Sequence, residues 1–115
     1  MKKTIKIANG QGFWGDSIDA PYNLIKYGNI DYLTLDYLAE VTLSIMQRQK
    51  IKNSEKGYAT DFVDLVKRVI TDILEKKIKI VTNAGGVNPE VCKQKLLSIS
   101  KEMDLNLKIA IIKGD

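Results

Sequence analysis

The amino-acid sequence predicts an α/β fold with a mostly parallel, four-stranded sheet and flanking helices. Short apolar runs rich in β-branched residues alternate with longer segments whose apolar residues recur at helical spacing. The resulting order, β-α-β-α-α-β-α-β, favours parallel strands joined by right-handed crossovers. At 115 residues, we expect a single domain, or the amino-terminal fragment of a larger α/β domain.

The four predicted strands are short and mostly apolar, as is typical of strands that are buried on both faces. They cover residues 4–8, 32–36, 79–83 and 108–112. The first helix is predicted over residues 19–27, with Pro21 in its opening turn and Gly28 after its last turn. The second is predicted over residues 38–50, and its apolar positions on one face are Leu38, Val41 and Ile45.

The third and fourth helices carry the clearest apolar stripes. Residues 61–76 place Phe62, Val66, Val69, Ile70 and Ile73 on one side, which predicts a buried face. The fourth helix begins with Asn88 as N-cap and Pro89 in the first helical position. Its predicted buried stripe consists of Cys92, Leu96, Ile99 and Met103.

Composition excludes several classes of protein. The net charge of +4 comes from sixteen lysines and two arginines scattered among acids, which argues against a nucleic-acid face. No apolar stretch is long enough to predict a membrane span. With one cysteine and no histidine, an internal disulfide, the usual zinc sites and histidine catalysis are excluded within these residues. We expect a cytoplasmic protein.

Two glycine-rich loops follow predicted strands, at residues 9–16 and 82–89. Because the carboxyl ends of parallel strands share one edge of the sheet, both loops are expected at a common ligand-binding edge. The second loop precedes a capped helix whose free N–H groups favour an anion. A tight turn that needs glycine for a positive φ is the structural alternative, and both interpretations are compatible.

The first loop also satisfies the dinucleotide-binding pattern G-x-G-x-x-G through Gly10, Gly12 and Gly15. Asp36 follows 21 residues after Gly15, near where a ribose-binding acid belongs. Pro21 argues against this interpretation, since it falls where the helix of that motif continues unbroken. A helix that begins at Gly12 would support dinucleotide binding, and one that begins at Asp19 would count against it. A connecting loop without a ligand is the remaining alternative.

The polar residues of these loops are the candidate site. We predict catalytic or orienting roles for Asp16 and Asp36. The predicted substrate-binding residues are Asn9, Gly10, Gly12, Trp14, Asn83, Gly85, Gly86 and Asn88. Glu40 lies four residues after Asp36, and together with Asp16 and Asp115 these acids would admit Mg²⁺, but no spacing is specific for a metal. We therefore predict no metal site, and the sequence does not identify a cofactor.

The runs at residues 9–17, 31–42 and 81–89, with 57–62 and 114–115, together resemble the acyclic terpene utilisation protein AtuA family. The resemblance implies a role in bacterial breakdown of acyclic terpenoids such as citronellol and geraniol, or in related branched acyl-CoA catabolism. Members of the family continue beyond this length, so the chain is expected to be the amino-terminal portion. The family implies no reaction and no catalytic residue that transfers to this sequence.

The leading hypothesis is therefore part of an enzyme that acts on a small carboxylate or CoA thioester. Residues 83–88 would hold a carboxylate, a thioester oxygen or a phosphate through backbone N–H groups. The alternatives are a dinucleotide-binding module and a non-catalytic, truncated chain. We expect a homo-oligomer or a partner chain that supplies the missing carboxyl-terminal part, and no nucleic-acid or membrane partner.

Overall fold

The computed structural model describes residues 4–114 and has an α/β fold with a parallel, three-stranded sheet in the order β1-β2-β3. The predicted fold class is confirmed, whereas the predicted number of strands is wrong. The elements are β1 (Ile7–Gln11), α1 (Asp19–Tyr27), β2 (Tyr32–Leu35), α2 (Ala39–Lys52), α3 (Thr60–Lys76), β3 (Lys79–Thr82) and α4 (Pro89–Glu102).

The predicted fourth strand, residues 108–112, pairs with no strand of the described chain. From Leu105 onward the chain still alternates half-buried and exposed residues, as a strand would, and Leu105, Leu107 and Ile109 pack against the core. Ser100 takes up the first polar groups of this segment: its hydroxyl donates to the Leu105 carbonyl at 2.6 Å and accepts from the Leu107 N–H at 3.0 Å. The segment is thus held against α4 and lies beside β3 without pairing with it.

The helices α1, α3 and α4 form one layer, in which α1 contacts β1, β2 and α3. Three parallel strands in sequential order require every right-handed crossover to pass over the same side of the sheet. Leu33 and Leu35 are buried, while the alternate face exposes 62% of Ile7 and 58% of Val81. The prediction of strands buried on both faces is therefore wrong for the described part of the chain.

The apolar pattern of α3 is confirmed, and every residue of its predicted stripe is buried. Predictions for the other helices hold less well. In α2 the residues Leu38, Val41 and Ile45 are exposed, and the buried positions are Thr42 and Met46. The backbone explains the shift, since Glu40 and Val41 are non-helical, with φ +55° at Val41, and interrupt the helix within its first turn.

In α4, Cys92 and Leu96 are buried as predicted and Ile99 is half-buried. Met103 is exposed because the helix ends at Glu102 and the chain turns away there. Within residues 4–114, no helix combines the length and apolar character that a membrane span requires.

Candidate functional site

Asp36 and Asn83 meet where β2 and β3 end side by side, and we call this pair the rim site. The Asn83 amide donates from Nδ2 to Oδ1 of Asp36 at 3.0 Å. The same carboxylate oxygen accepts the Leu38 N–H at 2.8 Å, and Oδ1 of Asn83 accepts the Tyr37 N–H at 2.8 Å. The structure thus brings together two predicted site residues that are 47 positions apart in the chain.

Asp16 closes the first glycine-rich loop. Its carboxylate accepts the Gly12 N–H at 3.2 Å and the Ser17 N–H at 2.8 Å. The Trp14 N–H donates to the Tyr37 carbonyl at 3.2 Å, so the loop is attached to the chain that follows β2. Both carboxylate oxygens of Asp16 therefore have structural partners, unlike Asp36, whose described bonds share one oxygen.

The glycines of the first loop do not form a phosphate-binding turn. Gly10 lies in β1, where a Cβ atom would come within 2.9 Å of Pro21, so its small size allows α1 to pack on the sheet. The helix starts at Asp19 rather than within the glycines, which counts against dinucleotide binding. A Cβ atom at Gly12 would meet nothing within 4 Å, and the loop around it is exposed.

The second loop uses its glycines for packing. Gly86 has φ +56°, and a Cβ atom there would overlap the sulfur of Met46 and lie 2.7 Å from the Gly57 carbonyl. Gly85 would bring a Cβ atom to 2.9 Å from Pro89. These contacts explain why the turn between β3 and α4 requires glycine at both positions.

Most backbone donors of this loop are already bonded. The N–H groups of residues 84, 86, 87 and 88 donate to acceptors within the protein, and Gly85 has no such bond in the described chain. Asn88 precedes α4 as predicted but makes no side-chain cap bond. Its buried amide instead donates to the carbonyls of Ser54 and Lys56, at 2.9 and 2.8 Å. Side chains, more than loop N–H groups, are thus available to a ligand here.

A cavity of about 1010 Å³ is lined by β3, by residues 106–112 and by parts of the core, and we call it the edge cavity. At one end it is lined by Asn83, Gly85 and Gly86, three of the predicted site residues. Tyr37 also lines it. Most other lining residues are aliphatic, so the cavity suits an apolar ligand group.

Buried polar atoms lie behind the rim site. The Tyr37 hydroxyl, Oε1 of Gln11 and Oδ1 of Asp61 have no hydrogen-bond partner within residues 4–114. Burial, followed by the charge of Asp61, raises the pKa of Tyr37 well above its usual range. Burial likewise raises the pKa of Asp61, against a hydrogen bond from Trp14 that lowers it. Tyr37 and Asp61 therefore keep their protons to a higher pH than exposed groups of the same types.

Sequence reasoning did not select Gln11 or Asp61. Asp61 stands in the first turn of α3, where an acid is expected simply to complement the helix dipole. Its position beside Tyr37 follows from the packing of α3 under the sheet, and no local pattern indicates it.

The remaining predicted residues lie apart from the rim site. Asn9 is exposed within β1, where its Oδ1 accepts the Thr34 hydroxyl at 3.2 Å. Glu40 is exposed near the start of α2. Asp115, which the sequence analysis grouped with the other acids that would admit Mg²⁺, lies outside the described residues. In the described range 4–114, no group of three or more potential ligands among His, Cys, Asp and Glu is arranged to hold a metal ion.

The fold defines the class as an α/β protein whose parallel strands end at a candidate ligand site beside an apolar cavity. Residues 5–115 match the model of the acyclic terpene utilisation family protein AtuA. The chain therefore belongs to this family, which confirms the resemblance seen in its sequence. No curated protein and no solved structure shows a significant match.

Proposed function

We propose that this AtuA-family chain binds a small carboxylate or CoA thioester of acyclic terpenoid catabolism, as part of an enzyme that acts on it. The observation that carries the proposal is the hydrogen-bonded pair of Asp36 and Asn83 beside one end of the edge cavity. Family membership supports the metabolic context. The apolar cavity supports a ligand with a branched hydrocarbon part.

The rim site supplies complementary polar groups. The Asp36 side chain is exposed and its carboxylate accepts a hydrogen bond or a proton from the ligand. Asn83 holds Asp36 in place through Nδ2, and that amide nitrogen carries a second hydrogen for a ligand oxygen. Tyr37 lies behind them as a buried hydroxyl that remains protonated at neutral pH. Together these groups suit the polarisation of a carbonyl and the movement of a proton next to it.

Trp14 provides the test because its backbone is bonded to Tyr37 and its side chain lies against Asp61. It is the only tryptophan, so its fluorescence reports on this region. The full chain is titrated with a branched acyl-CoA, and we expect a saturable change in emission. NADH serves as the negative control, since the start of α1 does not match a dinucleotide site.

Variants of the rim site show whether the fluorescence change arises from binding there. Asp36→Asn and Asn83→Leu are expected to weaken acyl-CoA binding at least about tenfold, the cost of losing one charged or buried hydrogen bond. Asp104→Asn is the matched control, since Asp104 is an exposed acid in the turn after α4. Unchanged affinity in both rim variants, or no response from the folded wild type to any acyl-CoA, would contradict the proposal.

A further inference from the structure

The outer edge of β3 carries unpaired backbone groups. The Lys79 N–H donates to the Asp31 carbonyl at 3.0 Å, so Lys79 points its backbone groups toward β2. Because successive residues of a strand point in opposite directions, Ile80 and Thr82 direct their N–H and C=O groups away from β2. In residues 4–114 no strand lies on that side, and neither N–H group donates a hydrogen bond to a loop or turn there. These groups border the edge cavity.

The charges around the edge cavity are all of one sign. Its lining includes Lys77, Lys79, Lys93 and Lys108 and contains neither aspartate nor glutamate. Within the described chain, none of these lysines forms an ion pair with an acid. Lys79 is the first residue of β3, about 13 Å from Asn83 at the usual rise of a strand, and Lys77 precedes it at the end of α3. A ligand that spans this length meets Lys79 at one end and the rim site at the other.

The rim site itself carries negative charge. A free carboxylate placed beside Asp36 would be repelled, whereas a thioester carbonyl is neutral and accepts a hydrogen bond from Asn83. An anionic group therefore belongs at the lysines and a neutral carbonyl at the rim site. A CoA thioester has this arrangement, with amide groups between its phosphates and its sulfur.

We infer that the edge of β3 binds the pantetheine arm of a CoA thioester. This inference rests on the proposed function and narrows its substrate class to thioesters. The thioester carbonyl lies at Asn83, the pantetheine amides hydrogen-bond Ile80 and Thr82, and the phosphates lie at Lys77, Lys79 and Lys108. The ligand thus adds to the sheet edge as an extended strand does.

Binding by calorimetry compares a branched acyl-CoA with the free acid of the same acyl group, using the full chain. We expect the thioester to bind more tightly, and its affinity to fall with added salt. The variant Lys77→Gln/Lys79→Gln/Lys108→Gln is expected to weaken acyl-CoA binding about tenfold, since each exposed ion pair contributes a fraction of a kcal/mol. The control Lys52→Gln/Lys56→Gln/Lys101→Gln removes the same charge from exposed lysines that do not line the cavity.

Amide hydrogen exchange supplies a second measurement. The N–H groups of Ile80 and Thr82 are expected to exchange quickly in the free protein and to become protected when acyl-CoA binds. Protection in the free protein would overturn the inference, because residues 105–112 would then occupy the edge as a fourth strand.

The calorimetric outcomes separate the two proposals. Equal affinity for acid and thioester, unaffected by the cavity lysines, would overturn the pantetheine inference and leave the rim site in place. Absence of binding by both ligands would overturn the inference and the proposed function together.

Discussion

Substituting Gly86 by alanine tests how strongly the stability of the protein depends on glycine in the second glycine-rich loop. Gly86 has φ +56°, and a non-glycine residue pays about 1–2 kcal/mol in this left-handed region. The added Cβ would also overlap the Met46 sulfur and lie 2.7 Å from the Gly57 carbonyl. Overpacking of a buried contact costs about 1–3 kcal/mol. We therefore expect Gly86→Ala to lower the free energy of unfolding by about 2–5 kcal/mol.

Urea unfolding followed by far-UV circular dichroism measures this change. Gly12→Ala is the matched control, since Gly12 lies in the other loop and a Cβ atom there meets nothing within 4 Å. Its effect is expected within about 0.5 kcal/mol of zero. In a Met46→Ala background the penalty of Gly86→Ala should shrink, because one of its two contacts is gone. A Gly86→Ala protein as stable as wild type would refute the reasoning.

Three further outcomes are expected. Because burial raises the pKa of Asp61, the native state holds this proton more tightly than the unfolded chain, so stability falls as the pH rises above 3.8. Asp61→Asn should therefore stabilise the protein at pH 7 and lose this advantage in acid, and a difference independent of pH in urea unfolding would contradict this. Asn88→Ala should cost about 1–3 kcal/mol in the same assay by removing the donor to the Ser54 and Lys56 carbonyls, whereas Asn23→Ala, at an exposed helical position, should cost much less. Burial raises the pKa of the Cys92 thiol to about 11, so a thiol-specific disulfide reagent at pH 8 should label the native protein far more slowly than the urea-unfolded one, and equal rates would count against this.

The parts of the fold that were predictable have strong local signals. The α3 stripe repeats at helical spacing over about three turns, and every residue in it is buried. The helix over Asp19–Tyr27 was predicted with the same bounds that the structure has, because Pro21 and Gly28 mark its two ends. Asp36 and Asn83 follow apolar runs that form neighbouring parallel strands, so their meeting at one edge was also predictable.

Other features of the fold and of the candidate site could not be predicted, because they depend on which groups form hydrogen bonds with each other in the folded chain. Asp16 and Asn88 are typical ligand-binding residues by type, but backbone groups of their own or nearby loops occupy them. Residues 108–112 have the composition of a strand, yet Ser100 binds Leu105 and Leu107 just before this segment, and no pairing with β3 forms in the described chain. In α2 the interruption at Val41 changes which face is buried.

The sequence by itself determined the α/β class, the helices with regular apolar stripes and the edge of the sheet where polar loops gather, because each follows from local spacing. Tertiary structure alone decided which of those polar side chains remain available, since availability depends on distant groups that compete for the same hydrogen bonds. It also decided the uncovered sheet face, the edge cavity and the proximity of buried Tyr37 to half-buried Asp61. These features arise from contacts between elements far apart in the chain, and no short pattern of residues encodes them.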